Sequence, residues 1–227
     1  MNLQIFLNEY LTHPSIGLTL KASLFALCMQ LLIGLPIGLF ISGKKSVMKN
    51  IIEIIVTLPM IFPPMALGFF LLLIFGKNGF IGSYLYNMFH FKVIFSFWGV
   101  LIATFIVGLP FMVKSVQAAR QQMDDSLVEV AATLGKTRFI TLMKVILPNI
   151  RNGIISGVLL SFGRSIGEVG ITLMLGGNIV GRTETLSLAI YNAVYDGEFQ
   201  RAAIFSIIIS VIAIVVLISL NLINKKT

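Results

Sequence analysis

The sequence predicts an all-α polytopic membrane protein with about five transmembrane helices, or six if an interfacial helix precedes them at residues 1–11. Of its 227 residues, 57% are hydrophobic and only 11% are charged. Several apolar runs of about 20 residues are each long enough to cross roughly 30 Å of hydrocarbon. Backbone that faces lipid must form helices or a closed barrel, and no alternating strand pattern competes with these runs. We therefore interpret residues 1–227 as a single membrane domain.

The first span is predicted at residues 16–42, and its second half contains Gly34, Pro36 and Gly38. Glycine lowers helix stability, and a proline ring clashes with the carbonyl group one turn before it. We therefore expect these three residues to break the first span internally.

The second span is predicted at residues 51–75 and contains Pro59, Pro63 and Pro64. Three missing amide groups should kink or unwind this helix. Unwound backbone is tolerated at membrane depth only where protein buries it or where it lines a cavity. The prolines therefore favour either a packing kink or a break beside a pathway.

Three further spans are predicted at residues 94–113, 150–175 and 202–223. The connection between the second and third spans is rich in glycine and aromatic residues, which suit a membrane interface. Residues 176–201 join the last two spans as a loop with a partly apolar centre, which could dip into the interface.

Five spans place the two chain ends on opposite sides of the membrane, and the basic residues indicate which side is cytoplasmic. Because basic residues accumulate in cytoplasmic loops, the N-terminus is expected outside and the C-terminus inside a bacterial or archaeal cytoplasmic membrane. The same distribution explains the net charge of +8 without a nucleic-acid partner. The cytoplasmic group comprises Lys44, Lys45, Lys49, Lys114, Arg120, Lys136, Arg138, Lys144, Arg151, Lys225 and Lys226, and the opposite group comprises Lys77, Lys92, Arg182 and Arg201.

A polar segment, residues 123–148, separates the third and fourth spans on the cytoplasmic side and is rich in helix formers. Acidic and hydroxyl side chains at residues 124–126 suit a helix N-terminus, and Glu129 in the first turns suits the helix dipole. Gly135 interrupts the helical pattern. The segment is therefore predicted to form a short helix, a bend and a second helix, with a solvated amphipathic loop as the alternative.

Gly135, Lys136 and Thr137 spell the end of a phosphate-binding loop, but the rest of that motif is missing. The motif requires a glycine five residues before Gly135, where this chain has Val130, and it must follow a strand. We therefore expect this chain to bind no ATP and no other cofactor.

In the same cytoplasmic segment, Glu129, Ala131 and Gly135 are followed by the step Leu147-Pro148. This pattern resembles the EAA loop of permease subunits in ATP-binding-cassette (ABC) importers, with a valine in place of the family's first alanine. The resemblance implies that the segment contains a coupling helix, which docks into a cleft on a separate ATPase subunit. That subunit would bind ATP and Mg²⁺.

Further motifs extend over nearly the whole chain: Leu58-Pro59 with Phe62-Pro63-Pro64, GKNGFIGSYL, Leu109-Pro110-Phe111, GRSIGEVGITLMLGGN and GRTETLSLAIY. They resemble the molybdate permeases of these importers and, less closely, the sulfate and tungstate permeases. The resemblance implies a homodimer in the lipid membrane that forms the pathway for an oxyanion, which an extracytoplasmic binding protein delivers. ATP hydrolysis would belong to the ATPase subunit, so the chain itself is not expected to be an enzyme.

The fourth span has a face of small residues, because Gly153, Gly157, Ser161 and Ser165 recur every four positions. Small side chains let two membrane helices approach closely. The two glycines are therefore predicted to serve helix packing, which supports the homodimer, and the two serines are candidates for the translocation path.

Arg164, Glu168 and Thr172 recur at the same spacing and fall beside the small face. An unpaired charge at the centre of a membrane helix costs roughly 2.5 to 3.5 kcal/mol on insertion scales, and residues four apart can form an ion pair. The pair is therefore either part of the translocation path and its gate, with Thr172 as a further path candidate, or a structural clamp between helices. On the first interpretation Arg164 would meet the anion, whereas Glu168, which would repel it, would act as a gate or support.

Two other classes of protein remain open. An ATP-independent anion channel or secondary transporter would work without an ATPase, although secondary transporters often show internal repeats that are not evident here. An intramembrane enzyme would need a further titratable residue facing Glu168 within a span. Metal binding is not expected, because His13 and His90 lie outside the spans without nearby cysteine or histidine partners.

Overall fold

The computed structural model describes residue 10, residues 12–44 and residues 46–225, with side chains as far as Ile218. Apart from residue 10, the predicted interfacial helix at residues 1–11 lies outside the described residues, as do Lys45 and Lys226. The described part folds into helices without any strand. The helices are α1 (Pro14–Ile41), α2 (Val47–Ile61), α3 (Pro64–Phe75), α4 (Phe80–Phe89), α5 (Phe97–Gln122), α6 (Ser126–Thr133), α7 (Arg138–Asn149), α8 (Arg151–Ile166), α9 (Gly170–Gly176), α10 (Leu186–Tyr195) and α11 (Phe199–Lys225).

Three of these helices are long and apolar enough to cross a membrane, namely α1, α5 and residues Phe199–Ile218 of α11. Two bent pairs, α2 with α3 and α7 with α8, are also long and apolar enough to cross a membrane when each pair is taken as one span. By length and composition, the candidate spans therefore number up to five. The prediction of an all-α polytopic membrane fold is therefore confirmed. The orientation of the two chain ends stays a prediction.

Helix α5 forms the centre of the fold, since α1, α2, α8 and α9 all pack against it. Its small and β-branched side chains are almost completely enclosed by these neighbours. Helices α8 and α9 run antiparallel to α5: Gly153 lies beside Ala119 near one end, and the amide of Phe95 donates to the carbonyl oxygen of Leu175 at 2.8 Å near the other. The fourth span therefore follows α5 over its whole length.

The predicted break of the first span is wrong, because α1 runs over Pro14–Ile41 without interruption. Residues Gln30–Gly34 form a π-helical turn inside it, and Pro36 follows two positions later. The wider turn shifts the carbonyl groups ahead of the proline out of the usual register, so the ring is accommodated without ending the helix. The glycines permit close packing instead: a Cβ atom on Gly38 would lie 2.8 Å from the carbonyl oxygen of Val113.

The proline cluster of the second span does produce a break. Helix α2 ends at Ile61, α3 begins at Pro64, and the two axes differ by 120°. Phe62 and Pro63 between them are extended, with ψ of 140° and 129°, because a following proline disfavours the helical conformation. Pro59, in contrast, stays inside α2. A bend of this size excludes a simple packing kink.

The fourth predicted span is not one continuous helix. Helix α8 ends at Ile166, residues 167–169 are non-helical, and the chain resumes a helix at Gly170. No proline marks this break. Glycine at position 167 has a low helix propensity, and the side chain of Glu168 replaces part of the missing backbone bonding, as described below.

The connection at residues 176–201 contains the helix α10 (Leu186–Tyr195) and is not merely a loop. Leu186 and Ala189 of α10 pack against Phe205 of α11 and are buried there. One face of α10 is therefore covered by protein, whereas Tyr191, Val194 and Tyr195 stay exposed. That this connection dips into the membrane interface stays a prediction.

Helices α5 and α8 approach too closely at Gly153 for any side chain to fit. A Cβ atom on Gly153 would lie 2.2 Å from the Cβ atom of Ala119, whereas a Cβ atom on Gly163 of the same helix would meet nothing within 4 Å. Gly153→Ala should therefore overpack the interface and lower the free energy of unfolding by about 1–3 kcal/mol. The matched control Gly163→Ala should be neutral or stabilising by up to about 1 kcal/mol, because alanine favours a helix. Thermal unfolding of both variants in one detergent measures the difference, and equal midpoints would contradict this packing.

Candidate functional site

The polar segment at residues 123–148, which we call the cytoplasmic segment after its predicted location, forms a helix, a sharp bend and a second helix, as predicted. At the bend, Gly135 has φ of +69°, and its amide donates to the carbonyl oxygen of Ala132 at 3.0 Å. The amide of Lys136 donates to the carbonyl oxygen of Ala131 at 3.0 Å. These two bonds form a Schellman motif, in which a residue with positive φ closes a helix C-terminus. Since a Cβ atom on Gly135 would meet nothing within 4 Å, backbone conformation alone favours glycine there.

The N-terminus of α6 is tied to the end of α5. The Asp124 carboxylate accepts a bond from the amide of Ser126 at 2.9 Å, which holds the pKa of Asp124 below its ordinary value. Arg120 of α5 donates to Asp125 at 2.8 Å. The start of α6 is therefore held by polar bonds at the C-terminal end of the central helix.

The two helices of this segment leave an apolar surface uncovered. Large apolar side chains are exposed on both: Leu127, Val130, Leu134, Phe139, Ile140 and Met143. Residues 127, 130 and 134 share one face of a helix by their spacing. An exposed apolar surface on a polar segment is typical of a protein-binding site.

The predicted coupling residues divide between this surface and the interior. Glu129, Gly135 and Pro148 are exposed. Leu147 is half-buried, and Ala131 is buried. A partner could therefore touch the first three directly, whereas Ala131 holds α6 against the rest of the chain.

Within the membrane region, Arg164 and Glu168 form the predicted ion pair, with 2.8 Å between Nη1 and Oε2. The pair does not lie on one continuous helix face, because α8 ends between the two residues. The second carboxylate oxygen, Oε1, accepts a bond from the amide of Ile171 at 2.7 Å. One buried carboxylate thus pairs with the last turn of α8 and caps the first turn of α9, so it bridges the break in the fourth span.

The break in the fourth span lies against the break in the second. A Cβ atom on Gly170, where α9 begins, would lie 2.9 Å from the Cβ atom of Pro64, where α3 begins. A Cβ atom on Gly68 of α3 would similarly lie 3.0 Å from the Cβ atom of Met174 in α9. We call this region, residues 62–64 and 164–170, the helix-break junction.

A second polar cluster joins three helices beside the junction. The side-chain amide of Gln30, in the π-helical turn of α1, donates to the carbonyl oxygens of Thr104 and Phe105 and to Oγ of Ser165, each at 3.1 Å. Ser165 donates in turn to the carbonyl oxygen of Thr104 at 2.9 Å. Gln30 was missed by the sequence interpretation, although a glutamine in an apolar span is a signal that could have identified it.

The hydroxyl residues predicted for the pathway lie inside the protomer. Ser161, Ser165 and Thr172 are buried, and among the described residues the hydroxyl groups of Ser161 and Thr172 have no hydrogen-bond partner. Arg164, by contrast, exposes 34% of its side chain, against 2% for Glu168. Of the five predicted pathway residues, Arg164 is therefore the one that reaches an open surface in this conformation.

The small face of the fourth span is used within the chain. Gly153 lies against Ala119, and a Cβ atom on Gly157 would lie 3.0 Å from Sδ of Met112. Both contacts are with α5 of the same chain. The two glycines do pack closely, as predicted, but against a helix of the same chain. This face therefore gives no support to the predicted homodimer.

A further buried carboxylate, Glu184, was also missed by the sequence interpretation. It accepts bonds from Oγ of Ser15 and from Nδ2 of Asn192, both at 2.8 Å. Asn192 also exchanges bonds with Asn178. These bonds fasten the start of α1 to α10 at the end of the molecule remote from the cytoplasmic segment. Among the described residues no cluster of histidine, cysteine, aspartate and glutamate could hold a metal ion.

Comparison with known proteins gives a family match and several relatives. The family described as "Binding-protein-dependent transport system inner membrane component" matches residues 34–227. The "Molybdenum transport system permease protein ModB" of Escherichia coli is 33% identical over 91% of this chain and 93% of that protein. The "Sulfate transport system permease protein CysT" of Salmonella typhimurium is 29% identical over 96% of this chain and 80% of its own length.

A solved structure shares the fold. The chain superposes on a chain of the inward-facing MetNI methionine ABC transporter with a TM-score of 0.73, over 93% of this chain and 94% of that one. The sequence identity is 16%, so this likeness concerns the fold alone.

The bridge made by Glu168 can be tested by separating its charge from its capping bond. Glu168→Gln keeps an oxygen that can accept from the amide of Ile171 but removes the charge that pairs with Arg164. Glu168→Ala removes both and leaves a buried amide unsatisfied, which costs about 1–3 kcal/mol more. We therefore expect thermal unfolding midpoints in the order wild type, Gln variant, Ala variant.

A double-mutant cycle with Arg164→Gln isolates the ion pair, and we expect a coupling energy of about 1 kcal/mol or more. Equal midpoints for the two Glu168 variants would show that the carboxylate does not cap α9. A coupling energy near zero would show that the ion pair contributes nothing to the fold.

Proposed function

Because the chain belongs to the family of binding-protein-dependent transport system inner membrane components, we propose that two copies of it form the pathway of an ATP-driven importer for the oxyanion molybdate. The observation that carries the substrate is the 33% identity to ModB over nearly the full length of both chains. The similarity to CysT is lower but covers more of this chain. Sulfate is therefore the principal alternative substrate, and tungstate shares the chemistry of molybdate.

The ATPase subunit is proposed to dock on the exposed apolar surface of α6 and α7. Glu129 and Gly135 lie on this segment, and Leu134, which directly follows α6, is the most exposed of its apolar side chains, at 69%. Burying such side chains drives protein association. ATP and Mg²⁺ would bind in that partner, and this chain would supply the surface that follows its motion.

Helix α8 provides a mechanical link from the docking surface to the membrane interior. It adjoins α7 at a bend of 68°, where Ile150 is fully buried in a cluster with Met112 and Val116. From there α8 is uninterrupted to Ile166, two residues before Glu168. A displacement of the cytoplasmic segment would therefore reach the helix-break junction through a rigid element.

Arg164 is proposed as the basic group of the translocation path, because it is partly exposed and carries the charge that an oxyanion requires. Glu168 would compensate this charge while no anion is present and would keep α9 attached, which makes it a gate or support and not a ligand. Ser165 would hold neighbouring helices through its bonds with Gln30 and Thr104, while Ser161 and Thr172 would pack beside it in the interior. Rigid-body motion driven by the ATPase would then expose the path alternately to the two sides of the membrane, with a binding protein delivering the anion from outside.

ATP hydrolysis by the complex reconstituted with its ATPase and its oxyanion-binding protein tests the substrate. We expect stimulation by molybdate and tungstate, and none by sulfate or phosphate. Stimulation mainly by sulfate would contradict molybdate but keep the importer. Anion flux into vesicles without ATP would instead support an ATP-independent channel and contradict the importer.

Gly135 tests the docking surface. Gly135→Val introduces a β-branched side chain where φ is +69°, which costs roughly 1–2 kcal/mol without a clash and should unwind the end of α6. We expect anion-stimulated ATP hydrolysis to fall to the basal rate, with weaker retention of the ATPase subunit during purification.

Gly135→Asn is the matched control, because asparagine tolerates the left-handed conformation and should retain most of the stimulation. If the valine variant associates with the ATPase as the wild type does and is stimulated equally, the docking assignment is wrong.

A further inference from the structure

A pocket lies at the end of α5 that is remote from the cytoplasmic segment. Its volume is about 350 Å³, and it is enclosed by α3, α4 and the residues that precede α5. Apolar side chains, among them Leu72, Phe75 and Ile94, form its walls. Lys77, Lys92 and Tyr86 complete the lining, so the pocket combines an apolar interior with two positive charges.

The two lysines share one aromatic ring. Nζ of Lys77 lies 4.7 Å and Nζ of Lys92 5.9 Å from the centroid of the Tyr86 ring. No carboxylate among the described residues lies within ion-pair distance of either ammonium group. Both lysines are exposed, so their ammonium groups remain available, and an anion at the mouth of the pocket would be attracted by both.

The surroundings of the pocket have the composition of a membrane interface. Exposed aromatic side chains gather on α4 and at the start of α5, including Phe80, Tyr84, Phe89 and Trp98. Aromatic side chains are enriched at the level of the lipid headgroups, and lysines extend their charged ends to the same level while their stems lie along apolar surface. The pocket is thus placed where both an acyl chain and a headgroup are available.

We infer that this pocket binds an anionic phospholipid, with its phosphate between Lys77 and Lys92 and part of an acyl chain along the apolar walls. A small hydrated oxyanion would satisfy the lysines but gain nothing from the walls, whereas a phospholipid uses both. The bound lipid would also contact α3, whose other end begins at the helix-break junction. This site is independent of the anion that the protein transports.

Trp98 supplies a reporter, because it is the single tryptophan of the chain and its ring lies 5.6 Å from that of Phe91, which lines the pocket. The full chain is placed in phosphatidylcholine nanodiscs that contain a minor fraction of phosphatidylglycerol. In each sample one of the two lipids carries brominated acyl chains, which quench tryptophan fluorescence on contact. We expect brominated phosphatidylglycerol to quench Trp98 more strongly than brominated phosphatidylcholine at the same mole fraction. The relative association constant derived from this excess should fall roughly thirtyfold in Lys77→Gln/Lys92→Gln, because each lysine near an anionic lipid contributes about fivefold.

Two variants control for charge and for folding. Lys44→Gln/Lys49→Gln removes the same charge near the cytoplasmic end of the molecule and should keep the excess quenching. Lys77→Arg/Lys92→Arg keeps the charge and should also retain it. Equal quenching by both lipids in the wild type, or loss of the excess in the cytoplasmic control, would overturn the site.

A soluble anion is the other possible source of the charge. Inorganic phosphate or molybdate is therefore added to discs of phosphatidylcholine alone. A change in Trp98 fluorescence that depends on Lys77 and Lys92 would show that the pocket takes a soluble oxyanion, and it would overturn the lipid assignment. No change under these conditions, together with the excess quenching, supports it.

Discussion

The carboxylate of Glu168 holds together the two halves of the fourth span, and the membrane part of the structure depends on this interaction. One oxygen pairs with Arg164 and the other accepts the amide of Ile171. A buried carboxylate is tolerated only when its charge is compensated and its oxygens are hydrogen-bonded. Here both requirements are met by groups on the two sides of the break. The ion pair and the interruption of the helix therefore stabilise each other.

The second span has a comparable interruption, and the two breaks lie against each other at Pro64 and Gly170. Backbone groups freed by a break cannot face lipid, so they must be covered by protein or line a cavity. Placing the breaks together lets each half-helix cover part of the other. The continuous helices, α5 and α1, surround this region and meet at Gln30, whose side chain bonds to two carbonyl oxygens of α5 and to Ser165. The interrupted helices therefore lie against the continuous central helix α5.

The prolines show why such breaks are hard to locate from sequence. Pro36 and Pro148 each follow a π-helical turn by two residues and remain inside helices, and Pro110 is buried within α5. Among the described residues, only the adjacent pair of prolines at positions 63 and 64 separates two helices. The fourth span breaks without any proline, because a neighbouring carboxylate can replace lost backbone bonds. Whether a helix continues therefore depends on its partners as well as on its own residues.

The sequence by itself determined those features that follow from local chemistry. Hydropathy gave the all-α membrane class, the left-handed preference of glycine gave the bend at Gly135, and a spacing of four residues gave the pair of Arg164 with Glu168. Only the tertiary structure decided which surfaces these features face. It places the small residues of the fourth span against α5 of the same chain, buries four of the five predicted pathway side chains, and brings Gln30 and Glu184 into polar networks. The physical reason is that burial and hydrogen-bond partners are set by helices distant in sequence, and neither periodicity nor composition of one segment records which helix lies opposite.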